Sequence, residues 1–106
     1  LYTMNTSNNA LTEAVYYILL ALVEPIHGYG IMQQTATLSN GRVRLSAGTL
    51  YGALASLLDK GWIEQLPEEG RKKGYIITAE GRAVLEQELQ RLTELVENGR
   101  NRLNNI

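Results

Sequence analysis

The sequence predicts a mostly helical domain with a small β-hairpin, followed by one long helix. Apolar residues recur at helical spacing in four separate stretches, most clearly Leu50, Leu54, Leu57 and Leu58 in the third. The period changes to strand-like over residues 62–66 and 75–78, with a turn-rich segment between them. The last stretch carries Leu85, Leu89, Leu92, Val96 and Leu103 in steps of four and three, missing one beat at Gly99, which is a heptad seam.

A chain of 106 residues makes one domain with a modest core. The absence of cysteine excludes disulfides, thiolate zinc sites and cysteine nucleophiles. No apolar run approaches the ~20 residues of a membrane helix. The most apolar segment, residues 14–23, is too short and too far from basic flanks for a signal peptide. A soluble cytoplasmic protein with no membrane partner is expected. The net charge is only −1, yet Arg42, Arg44, Lys60, Arg71, Lys72, Lys73 and Arg82 gather in the middle while much of the acid lies in the last helix. A local patch, not the total, binds phosphate.

Residues 1–10 are polar and aperiodic, a flexible N-terminus with Met4 as a candidate start. Thr12 is placed to cap a first helix, Glu13 suits its positive end, and Pro25 stops it. Val15, Ile18, Leu19 and Leu22 form one stripe, but Tyr16, Tyr17, Leu20 and Val23 leave little of the circumference polar. Such a helix is buried on more than one side, the second side meeting a partner chain or a long neighbouring helix. His27-Gly28-Tyr29-Gly30 opens a second helix that runs to about Leu38 with Ile31, Met32, Thr35 and Leu38 inward. Ser39-Asn40-Gly41 ends it with turn chemistry. Val43 and Leu45 flank Arg44 in a short extended piece, Ser46 caps the third helix, and Gly61 terminates it after Lys60. Two short helices, a turn and a third helix with a polar tip make a helix-turn-helix.

The other face of the third helix is small and almost uncharged, with Gly48, Thr49, Gly52, Ala55 and Ser56 beside Tyr51. That face suits either a DNA major groove or packing on both sides within its own domain. The following hairpin, with Ile63 and Ile77 toward the core, is a wing. Its tip carries Arg71, Lys72 and Lys73, which reads as a phosphate or minor-groove contact or as a solvated loop. Thr78 caps the last helix, which starts at Ala79 with Glu80 in its first turn and extends to about Leu103. At roughly 35 Å this helix outruns a small core, so its seam of Leu85, Leu89, Leu92 and Val96 is expected to dimerise with a second copy. Folding back on the first helix is the alternative. The expected division is therefore a flexible segment 1–10, a winged helix-turn-helix domain 11–78 and a C-terminal dimerisation helix 79–106.

These residues resemble the PadR family of bacterial transcriptional regulators over most of residues 11–91. The resemblance is carried by the apolar first helix, His27-Gly28-Tyr29-Gly30-Ile31, Gly48-Thr49-Leu50-Tyr51-Gly52-Ala53-Leu54, Gly61-Trp62-Ile63-Glu64 and Tyr75-Ile76-Ile77-Thr78-Ala79-Glu80-Gly81-Arg82. It implies a winged helix-turn-helix homodimer, interlocked through the C-terminal helix, that acts mostly as a repressor on double-stranded DNA. It places Thr49 and Tyr51 near DNA and makes Arg71, Lys72 and Lys73 the wing tip. Arg42, Arg44 and Ser46, from the approach to the third helix, complete the candidate DNA contacts, and a two-fold dimer implies a palindromic operator. Gly70-Arg71-Lys72-Lys73 lacks the proline of the family's Gly-Arg-Pro-Arg turn. The single tryptophan, Trp62, lies outside the last helix, so the ligand sandwich that some members build from a last-helix tryptophan does not carry over. The short run after the wing resembles the subfamily with one C-terminal helix.

Other chemistry finds little footing. His27 is the sole histidine and reads as structural; no metal site, cofactor or nucleophile–base pair is expected, and no enzyme. Gly28-Tyr29-Gly30 lacks the rest of a phosphate loop. Tyr16 and Tyr17 are candidates to hold a small aromatic or planar effector between protomers, the alternative being a plain dimer core. The competing function is a winged-helix protein–protein interaction module without DNA binding. With no Arg, Asn or Gln on its open face, the third helix offers thin base readout, so basic residues around it must supply much of the affinity.

Overall fold

The computed structural model describes residues 10–105, so the expected flexible N-terminus lies outside the described residues but for Ala10. The elements in chain order are α1 (Glu13–Ala21), β1 (Ile26–His27), α2 (Gly28–Leu38), α3 (Ala47–Lys60), β2 (Ile63–Gln65), β3 (Gly74–Ile77) and α4 (Ala79–Asn104). Three hydroxyl caps set the helix starts. Thr12 accepts from the Val15 N–H, Ser46 from Thr49 and Thr78 from Gly81. Gly61 ends α3 with φ of 77°, a left-handed conformation that costs glycine nothing. Helix α1 stops at Ala21, before Pro25, and Leu22 is its buried C-cap.

One core joins the parts. Ile18, Leu19 and Leu22 from the first helical segment meet Ile31 from α2, Leu50, Leu54 and Leu57 from α3, and Ile63 and Ile77 from the hairpin. Full burial of a leucine or isoleucine side chain contributes about 1.5–3 kcal/mol, so the α3 stripe alone is a major source of stability. Leu38, expected inward, is 40% exposed; α2 ends there, and its buried residues are Gly28, Ile31 and Thr35.

The wing has three strands rather than the expected two, in the order β1-β3-β2, all antiparallel. Ile26 pairs with Tyr75 and His27 with Gly74 on one side of β3; Ile63 pairs with Ile77 and Gln65 with Tyr75 on the other. A two-residue strand has no periodicity to read. Ile26 and His27 become a strand because β3 offers a free edge beside them.

Two close junctions orient α4. The Thr78 N–H donates to the Trp62 carbonyl at 2.9 Å and its hydroxyl to the Gly61 carbonyl at 2.7 Å. A Cβ at Gly81 would overlap the Trp62 carbonyl oxygen, so the first turn of α4 sits directly on the turn leaving α3. Further along, the buried Glu88 carboxylate accepts from the Leu11 N–H at 3.2 Å and from the Arg91 Nε and Nη2, each at 2.7 Å. Beyond this point α4 leaves the body. The described fold measures 59 × 31 × 21 Å with a radius of gyration of 15.8 Å, against about 13 Å for a compact domain of this size.

The Arg91 guanidinium holds the Glu88 carboxyl below the usual carboxylate range, opposed by burial and assisted by the Leu11 N–H. A lowered folded pKa contributes stability that is complete above the unfolded value of about 4.3 and is lost as pH falls through the folded value. Glu88→Gln is therefore expected to melt about 5 °C below wild type at pH 7. Melting curves run down to pH 3 should show that gap closing below about pH 4; a gap that does not change with pH would show that the carboxylate's charge contributes nothing.

Candidate nucleic-acid interface

The N-terminal half of α3 is open. Gly48, Thr49, Tyr51 and Gly52 are exposed, and a Cβ at Gly48 or Gly52 would meet no atom of the described residues within 4 Å. Of the two expectations for this face, packing inside its own domain does not occur along this edge. The same helix buries Leu50, Leu54 and Leu57 on the opposite side, so the i, i+4, i+7 stripe decides which face is left outward. The Ser46 hydroxyl accepts from the Thr49 N–H at 3.2 Å and lies 3.0 Å from the Thr49 hydroxyl, so both predicted contact residues also build the cap.

Tyr51 is half-exposed and held from below. A Cβ at Gly28 would overlap its hydroxyl, so the missing side chain at the start of α2 is the seat of the ring. Burial pushes the neighbouring Tyr75 hydroxyl up, with Tyr51 and Glu68 close enough to add to the shift. Since His27 pairs with Gly74 at the root of the wing, Tyr51 and the wing lie at the same end of the molecule.

The wing tip closes as a tight turn. Glu69 and Lys72 exchange backbone hydrogen bonds of 3.3 and 3.2 Å around Gly70 and Arg71, with Gly70 at φ of 66°. The turn thus forms without the proline. Arg71, Lys72 and Lys73 are fully on the surface, and none forms an ion pair among the described residues. Arg44 folds back so that its guanidinium lies 3.1 Å from where a Cβ on Gly41 would stand. Arg42 points the other way. Its Nε and Nη2 donate to the two Glu13 carboxylate oxygens at 2.6 and 3.0 Å, a fork that composition alone did not reveal.

The remaining candidates divide between two regions. Tyr16 and Tyr17 are half-buried and stack edge to face with centroids 5.4 Å apart. A cavity of about 1190 Å³ opens between the start of α1, the back of α3 and α4, walled by Leu11, Val15, Trp62, Glu88, Arg91 and Leu95 among others, without either tyrosine. Lys60 covers the Trp62 ring at 4.8 Å. On α4, Leu85 is buried in its own chain, whereas Leu89 and Val96 are 54% and 51% exposed and flank Leu92 in a shallow groove. Leu95, which the heptad reading passed over, is equally exposed on the neighbouring stripe. Among the described residues no group of three His, Cys, Asp or Glu could hold a metal, and no helix is long and apolar enough to cross a membrane.

A three-helix core with an open third helix and a basic wing defines the winged helix-turn-helix class. The Transcriptional regulator PadR-like family matches residues 17–87, and this chain belongs to that family. Its fold is similar to RosR of H. salinarum (TM-score 0.66, 27% identity, covering 90% of this chain and 88% of that one). It is also similar to a transcriptional regulator from Clostridium thermocellum (TM-score 0.68, 25% identity, 84% and 89% covered). A PadR family transcriptional regulator from Eggerthella lenta gives a TM-score of 0.65 at 27% identity, with 84% and 79% covered. In sequence it is 38% identical over 84 residues to an uncharacterized 37.1 kDa protein in a transposon of Streptomyces fradiae. That match takes 78% of this chain but 24% of the relative, so the chain spans about a quarter of that protein's length.

Gly28→Ala should unseat Tyr51 without unfolding the domain, because the phenol can swing to solvent and alanine favours the helix by up to about 1 kcal/mol. The expected result is a melting temperature close to wild type with displaced Tyr51 ring resonances in NMR spectra. Unmoved Tyr51 resonances would show that the ring is placed by something else.

Proposed function

We propose that this chain is a DNA-binding transcriptional regulator, acting as a homodimeric repressor on a palindromic double-stranded operator. The observation that supports it most is the open, uncharged edge of α3 lying at the same end of the molecule as a basic wing tip that forms no ion pair among the described residues. Small side chains let the helix approach base edges, where Thr49, Tyr51 and Ser46 can hydrogen-bond and thymine methyls can be touched. Arg71, Lys72 and Lys73 at the wing, with Arg44 and Arg42 before α3, supply the phosphate contacts that give register and most of the affinity.

The second copy is argued from α4. Leu89 and Val96 are exposed on either side of half-buried Leu92, an apolar stripe unsuited to a free helix surface, and a two-fold partner laying its own α4 on it buries both stripes at once. In this reading residues 11–78 bind DNA and residues 79–106 set the spacing of two α3 helices, with half-sites one turn or a multiple of about 10 base pairs apart. Repression follows from occupancy of the operator. For release by an aromatic or planar effector, the cavity beside Trp62 is better walled than the Tyr16–Tyr17 pair.

Removing the wing charges (Arg71, Lys72 and Lys73 to Ala) should weaken duplex binding. The dependence of log K on log salt should flatten by about 0.9 for each phosphate that the wing no longer neutralises. Equal affinity with an unchanged slope would take the wing out of the interface. A wild-type protein that binds no duplex at any salt would favour the protein-interaction module instead. The double substitution L89D/V96D should give a folded monomer in analytical ultracentrifugation, and a dimer that persists would move the interface elsewhere.

A further inference from the structure

The two arginines in the turn before α3 are treated differently by the fold. The Arg42 backbone is pinned: its N–H donates to the Ser39 carbonyl at 3.1 Å, and the next N–H, that of buried Val43, donates to the Ser39 hydroxyl at 2.9 Å. Only the guanidinium is free to choose a partner, and it takes Glu13 at the first turn of α1 in a two-pronged fork. Arg44, two residues on, has no acidic partner among the described residues. The Arg42–Glu13 pair is open to solvent, with side chains 71% and 46% exposed, so an incoming anion can reach it without any unfolding.

A guanidinium fork fits a carboxylate and a phosphate with the same geometry. We propose that Glu13 sets the affinity of this chain for DNA by occupying Arg42 as a phosphate mimic, so that a backbone phosphate must displace the carboxylate to engage the guanidinium. The inference rests on the DNA-binding reading given above. Its consequence is an interface with one cation held in check. Glu13 weakens the complex twice, because Arg42 is already neutralised in the free protein and the released carboxylate is left near the phosphates. The chain has 10 basic residues against 11 acidic ones, so a single arginine is a large share of what can meet DNA. The contact also holds the Glu13 carboxyl below its usual range and raises Arg42.

The test is fluorescence polarisation with a labelled mixed-sequence duplex over a salt series, using wild type, E13Q, R42Q and E13Q/R42Q. Thr12 still caps α1 in E13Q, and E13S is run beside it so that an effect peculiar to glutamine is recognised. E13Q and E13S should bind about two- to fivefold more tightly than wild type at low salt. Their salt slope should steepen by up to about 0.9, the value for one added phosphate contact, in proportion to how far Arg42 stays on Glu13 in the wild-type complex. In the R42Q background the gain should vanish. Unchanged affinity in both Glu13 variants overturns the proposal, and so does a gain of the same size without Arg42, which would reflect general charge. Wild type showing no salt-dependent binding would sink the DNA reading itself, whatever the variants do.

Discussion

Everything outside the helical core hangs on the junction where α3 leaves and α4 begins. Thr78 holds the carbonyls of Gly61 and Trp62 through its hydroxyl and its N–H, and Gly81 lets the first turn of α4 lie against that same backbone. The contact runs through backbone groups and one short, β-branched side chain, so it has little freedom to yield. The end of α3, the root of the wing and the axis of α4 are thereby fixed relative to one another. Since α3 and the wing form the proposed DNA surface and α4 the proposed dimer surface, this junction is what ties the distance between two recognition helices to the geometry within one chain.

The second constraint is economy of charge. A protein with nearly balanced charge can meet a polyanion only by where its cations stand. The fold exposes the wing lysines and Arg71 without acidic partners among the described residues, turns Arg44 back across Gly41, and gives Arg42 to Glu13. The other strong pair, Glu88 with Arg91, serves a different end: it anchors the chain before α1 to α4 through the Leu11 N–H. Two carboxylate–arginine forks of similar local chemistry thus do unlike things because one carboxylate is buried and the other is not.

Much was legible from residue order alone. Caps at Thr12, Ser46 and Thr78 and the glycine stop at Gly61 act within a few residues, so local chemistry identified them, and all four stand where the pattern placed them. The Leu50-Leu54-Leu57 stripe chose the buried face of α3 and, by subtraction, the open one. Less legible were β1, whose two residues become a strand only through β3, and the burial of Leu85, which shares a heptad with exposed Leu89 because α4 crosses the edge of the body between them.

Local periodicity and capping therefore determined the four helices, the β2–β3 hairpin, their order and the outward face of α3, since these depend on neighbours a few residues away. The tertiary structure decided what each candidate side chain touches. Arg42 meets an acid 29 positions distant, Tyr51 rests on a glycine of the preceding helix, and the cavity at Trp62 exists only because α1, α3 and α4 fail to close on one another. Contacts of that kind are set by how rigid elements pack, and no spacing along the chain encodes them.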